Sequence, residues 1–169
     1  MCSGQSRTDP PRVPSWRSGS VILWRHRWAT RRHCRPWDRC WRSTEGTPSR
    51  RLLANPVVFG QLFESLAVRD LRIYSGAERG SVYHYRDNSG LECDAIIERI
   101  DGAWIAVEVK LNSGGAAVDR AARSLLRLRN KVASRRREEL AALLVVTSTG
   151  AAYRRPDGVQ VAPITMLAP

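Results

Sequence analysis

No apolar stretch in this chain approaches the roughly 20 residues that a membrane-spanning helix needs. The run Val21-Ile22-Leu23-Trp24 is far too short, and it lies in a segment without the charged start, apolar core and cleavage site of a signal peptide. There is no internal repeat. Cysteine is scarce, with four in 169 residues, which argues against a disulfide scaffold and for a reducing, cytoplasmic setting. Cys34 and Cys40 with His26 and His33 have no zinc-finger spacing, so no metal is expected there. The phosphate-cradling pattern G-x-x-x-x-G-K-[ST] is also missing, which excludes ATP binding by that route.

Basic charge is abundant but unevenly spread. The formal net charge is +12, and residues 1–50 hold eleven Arg against two Asp and one Glu, a surplus of 8. That segment also carries five of the six Trp and shows no helical or strand period. Arg interleaved with Trp can clamp phosphates and stack bases. The plainer expectation is a leader over residues 1–54 that is disordered or not native, followed by one domain over residues 55–169.

The ordered text centres on Leu91 to Lys110. Glu92-Cys93-Asp94-Ala95-Ile96-Ile97 and Ala106-Val107-Glu108-Val109-Lys110 alternate with period two, as half-buried strands do. Strict alternation puts Leu91, Cys93, Ala95 and Ile97 on one face and Glu92, Asp94 and Ile96 on the other. The turn between the strands sets their register. A three-residue loop, Ile100-Asp101-Gly102, requires glycine in the left-handed conformation at its third position, and Gly102 is there. This register opposes Asp94 to Glu108 and Glu92 to Lys110. Opposed carboxylates repel unless a cation or a proton lies between them.

Upstream, Pro56 suits a helix start. Phe59, Leu62, Phe63 and Leu66 predict an amphipathic helix over about 57–72. Glu64 is either a solvated helix residue or a third acid reaching the site, and both readings stay open. Ser81–Arg86 reads as a strand, with a turn ending at Gly90 that opposes His84 to Asp94 and Arg86 to Glu92. A helix over about 117–138 buries Val118, Ala122, Leu125, Leu128 and Val132. It carries a basic stripe of Arg120, Arg123, Arg127, Lys131 and Arg135, which suits a solvated face or phosphate tracking. Leu140–Thr147 reads as a buried strand, and Gly158–Leu167 as a last one with Pro163 near an edge or bulge. The element order predicts an α/β fold, a mixed β-sheet flanked by helices.

Asp94 followed by Glu108-Val109-Lys110 resembles the acidic half of the PD-(D/E)XK signature, found in restriction-endonuclease-like folds. Gly60-x-x-Phe63-Glu64, Tyr85-Arg86, Gly90-x-Glu92-x-Asp94, Glu108-Val109-Lys110 and Asp157-Gly158-Val159…Pro163 are together similar to domain of unknown function 4143. That domain forms the C-terminal part of a family of prokaryotic AAA-type ATPases, and the resemblance covers about residues 55–167. It implies a restriction-endonuclease-like sheet, with Glu64, Asp94, Glu108 and Lys110 as the candidate catalytic set. It also implies Mg²⁺ held by Asp94 and Glu108, DNA as a partner, and an ATPase domain encoded separately or lost. Two departures stand out: the ATPase half is missing, and Cys93 replaces the proline that usually precedes the first acid. Two functional readings follow. One is a regulatory or nucleic-acid/partner-interaction module whose charges form a closed network, Glu92 joining Lys110 or Arg86. The other is a Mg-dependent phosphodiesterase.

Overall fold

The structure is a computed structural model that describes the backbone of Val21–Arg25 and residues 54–168. Seven strands form one sheet in the order β1-β2-β3-β4-β5-β7-β6. They are β1 (Val21–Arg25), β2 (Ser81–Asp87), β3 (Glu92–Glu98), β4 (Trp104–Lys110), β5 (Leu140–Thr147), β6 (Tyr153–Arg154) and β7 (Gln160–Pro163). The first four pair antiparallel, β4–β5 and β5–β7 are parallel, and β6 closes the far edge antiparallel to β7. Helix α1 (Pro56–Ala77) covers one face and α2 (Gly115–Lys131) the other, with a short α3 (Ser134–Glu138) after it. The expected α/β class, a mixed sheet with flanking helices, is therefore present. The leader expected over residues 1–54 lies outside the described residues apart from β1 and Ala54. So do His26, His33, Cys34 and Cys40.

Local chemistry explains the boundaries. Asn55 caps α1 by accepting Val58 N–H at 3.2 Å, and Pro56 occupies the first turn where its missing donor costs nothing. The buried stripe of α1 is Phe63, Ala67, Leu71 and Ser75, not the expected Phe59, Leu62, Phe63 and Leu66. Leu66 is 41% exposed. The small Ala67 lets the helix seat closely on Ala95, Val107, Val109 and Val146. This seating turns the apolar residues of the opposite side outward and brings Glu64 onto the buried side.

The predicted buried stripe of α2 holds at all five positions: Val118, Ala122, Leu125, Leu128 and Val132 are buried. The predicted helix over 117–138 instead breaks at Val132–Ala133, where extended backbone separates α2 from α3. Pro163 ends β7 beside Thr147, past the two residues that β6 pairs, so its missing N–H falls where no neighbour needs it.

Candidate functional site

The three-residue turn forms as read. Gly102 adopts φ 89°, its N–H donates to Arg99 O at 3.0 Å, and Arg99 N–H donates to Ala103 O at 2.9 Å. The pairs Ala95–Val107 and Ile97–Ile105 follow, and the ladder stops one residue short of Asp94 and Glu108, which the same register would oppose.

Strict alternation along β3 does not hold. The β2–β3 register shifts between Tyr83 and Tyr85, so Asp94 and Ala95 together face His84. This is a β-bulge, with two residues on one strand against one on its neighbour. It leaves Cys93 and Ile96 both in the core under α2, and Ala95 and Ile97 both against α1. The expectation that Cys93, Ala95 and Ile97 share a face is thus corrected, because the extra residue moves everything after Asp94 to the other side.

At the bulge, β3 and β4 separate. Val109 N–H has no ladder carbonyl there and donates to Asp94 Oδ2 at 2.8 Å. The Cys93 thiol donates to Val107 O at 3.2 Å. Two side chains thereby satisfy backbone groups that the opened ladder would leave unpaired inside the protein. Burial, with Glu108 and Asp94 nearby, pushes the Cys93 thiol well above its usual range, so it stays a neutral donor.

The candidate residues meet in this gap. Lys110 Nζ lies 2.7 Å from Glu108 Oε2 and 3.5 Å from Asp94 Oδ2. Glu64 enters from α1 beside Asp94, close enough for the two carboxyls to interact. Ser124 of α2 reaches the Glu108 carboxylate from the other face of the sheet. Asp94, Glu108 and Lys110 are therefore brought together, with Glu64 beside Asp94. Glu92 stays outside, paired with Arg86 at 2.7 Å on the surface as their register predicts.

The electrostatics follow from burial and from three acids gathered near one ammonium. Burial, then the Asp94 charge, pushes the Glu64 carboxyl up to about 8, against the pull of Lys110. Burial and the Asp94 charge likewise push Glu108 up to about 7. Burial alone would lower Lys110, but Asp94 and Glu108 outweigh it and hold its pKa above the ordinary value.

Asp94 and Glu108 offer the hard carboxylate oxygens that a divalent cation of the Mg²⁺ class takes, and the raised carboxyl pKa values beside them come from burial first and the Asp94 charge second. As placed, Lys110 Nζ takes the position between the acids. Among the described residues, no group of three or more His, Cys, Asp or Glu side chains is gathered to hold a metal.

Two other polar clusters escape a reading of the sequence. Asp87 is buried and accepts from Tyr85 Oη (3.1 Å), Ser89 N (2.8 Å), Ser89 Oγ (2.6 Å), Leu91 N (3.1 Å) and Lys131 Nζ. These donors, Lys131 first, hold its carboxyl well below the usual range. The turn residues were visible in Asp87-Asn88-Ser89-Gly90; the partner 44 positions later was not. At the turn end of β3–β4, Arg136 bonds Glu98 (2.8 Å) and Glu139 (2.5 Å) and lies 5.9 Å over the Trp104 ring.

This architecture is that of a mixed α/β domain with buried acids gathered where two central strands part. The family model "Domain of unknown function (DUF4143)" matches residues 59–167, and the chain belongs to that family. No curated protein and no solved structure matches it.

Proposed function

We propose that this domain is a nuclease-like accessory module of an AAA-type ATPase, directed at nucleic acid, with its chemistry at the strand gap between β3 and β4. The observation that carries this reading is the gathering of carboxylates there: Asp94 and Glu108 share a single lysine, Glu64 lies beside Asp94, and burial with the Asp94 charge drives Glu64 and Glu108 toward protonation. A purely structural network would be expected to balance its charges, since a buried uncompensated charge costs several kcal/mol. Asp94 and Glu108 would hold a Mg²⁺ ion, and Glu64 would complete the acidic wall through Asp94. The ion, when bound, supplies a water of lowered pKa and neutralises charge on a phosphate oxygen.

Lys110 contributes in its own right. Displaced from between the carboxylates, its ammonium would remain on the same strand, two residues from Glu108, and face the phosphate as a point charge. Asp94 has a second duty, because its Oδ2 accepts from Val109 N–H and holds the gap in shape. The link to an ATPase and a cytoplasmic setting rest on the resemblance of the quoted motifs and on cysteine usage. Among the described residues no helix is long and apolar enough to cross a membrane.

The test is cleavage of single- and double-stranded DNA with Mg²⁺ or Mn²⁺. Wild type should cut. Asp94→Asn, Glu108→Gln and Lys110→Ala should not, while keeping the wild-type fold by circular dichroism. A second reading has its own observation: Lys110 already bridges Asp94 and Glu108. In that reading the cluster holds a regulatory or partner-binding module together. Uncut DNA, with Lys110→Ala strongly destabilised, would favour it.

A further inference from the structure

The exposed side of α2 carries charge of one sign. Arg120, Arg123 and Arg127 are all exposed, and spacings of three and four place them on one side of the helix. Among the described residues none of the three has a hydrogen-bond, ion-pair or ring partner. The helix has one acid, Asp119, and Arg155 engages it at 2.6 Å. Solvated helix faces usually interleave both signs. Here Arg123–Arg127 and Arg127–Lys131 are like-charged neighbours one turn apart, an arrangement that destabilises an isolated helix.

Two features give the stripe a direction. At one end, Ser89, Leu91, Arg127, Asn130 and Lys131 line a shallow, open depression. Ser89 and Lys131 hydrogen-bond each other in its wall at 2.8 Å, so this end is preformed. Midway along, Ser124 follows Arg123 and reaches both the Glu92 carbonyl (3.4 Å) and the Glu108 carboxylate. Ser124 thereby joins the helix that carries the stripe to the strand that carries Asp94. From Arg120 to Arg127 the stripe rises about 10 Å, the span of about three phosphates along one strand of a duplex.

We propose that this face of α2, carried by Arg120, Arg123 and Arg127 and running into the depression beside Lys131, holds the phosphate backbone of a nucleic-acid strand alongside the carboxylate cluster. The inference rests on the nucleic-acid reading of the site but not on catalysis. Phosphate contacts of this kind position a strand without reading its bases, so binding should be tolerant of sequence and sensitive to salt.

The experiment is fluorescence polarisation of a short labelled oligonucleotide, single-stranded and duplex, with the full chain in EDTA over about 50–200 mM salt. The comparison is between wild type, an Arg120→Gln/Arg123→Gln/Arg127→Gln triple variant, and an Arg79→Gln/Arg99→Gln/Arg154→Gln triple variant that removes the same charge from exposed sites elsewhere. The stripe variant should lose about tenfold or more in affinity and about 2–3 from the magnitude of the salt slope, at 0.7–0.9 per phosphate contact. The control variant should keep the wild-type slope. An unchanged slope in the stripe variant overturns the proposal, since the basic residues 1–50 would then carry any binding. Equal losses in both triple variants overturn it too, as does binding to anionic phosphatidylserine vesicles without binding to the oligonucleotide. A chain that binds through the stripe yet cuts nothing leaves this proposal standing and removes catalysis alone.

Discussion

The two ends of the β3–β4 hairpin are built from similar residues with opposite results. At the turn end, Glu98 and Glu139 meet Arg136, Arg135 also approaches Glu139, and the Trp104 ring and the Gly102 carbonyl take up the remaining Arg136 surface. Acids and guanidiniums match there. At the open end, Asp94 and Glu108 share Lys110 with Glu64 beside them, and burial, reinforced by the Asp94 charge, holds the Glu64 and Glu108 carboxyls well above the carboxylate range. The Glu98 and Asp94 side chains are similarly buried, 13% and 14% exposed. At the turn end each acid has a guanidinium partner, whereas at the open end burial and an extra acid act together.

The largest effect should come from unbalancing the fastened end. Arg136→Ala leaves Glu98 buried without its guanidinium and should cost roughly 3–5 kcal/mol in urea unfolding. A loss below about 1 kcal/mol, the range of a surface pair, would remove the contrast between the ends. At the open end the sign should reverse. Glu64→Gln keeps a hydrogen-bonding side chain beside Asp94 while removing a like charge. At pH 8 without divalent cation it should stabilise the chain by on the order of 1–2 kcal/mol.

The pH dependence sharpens the same distinction. The carboxyl groups of Glu64 and Glu108 bind protons more tightly folded than unfolded. Their stabilising contribution is complete below their unfolded values near 4.5 and declines as pH rises toward about 7 and 8. Asp87 runs the other way. Its carboxyl is depressed in the fold, so its contribution is complete above the ordinary Asp range and is lost as pH falls below it. Thermal midpoints should therefore fall on both sides of mildly acidic pH. Glu64→Gln should flatten the alkaline limb and leave the acid limb in place; an unchanged alkaline limb would show that the open end carries no surplus. The smallest effect is expected from Arg86→Ala. It breaks the exposed pair with Glu92 and should shift stability by less than about 1 kcal/mol.

Much of the site was legible because it depends on local chemistry. Gly102 demands a particular turn, that turn sets the register, and the register opposes Asp94 to Glu108. Legibility ended where a non-local event intervened. The bulge at Asp94–Ala95 reassigns the faces of β3, yet no glycine marks it; it arises where β2, β3 and β4 adjust to one another. The α1 stripe was displaced because Ala67, small and weakly apolar, seats the helix against the sheet where a count of large residues favours Leu66. The Asp87–Lys131 and Glu98–Arg136 pairs join residues 44 and 38 positions apart, beyond the reach of periodicity. The break between α2 and α3 has no glycine or proline to announce it.

The central claim is that the open end is short of one cation. It is tested most directly by the thermal midpoint of the full chain at pH 8, with and without Mn²⁺, in wild type and Glu108→Gln. The account predicts that Mn²⁺ raises the wild-type midpoint, since an ion at a hundredfold excess over its Kd adds about 2.7 kcal/mol to the folded state. It predicts that Glu108→Gln abolishes the rise while the variant without the ion is at least as stable as wild type. A wild-type midpoint that Mn²⁺ leaves unmoved, with Glu108→Gln less stable than wild type, would show a closed network already satisfied by Lys110 and would contradict the account.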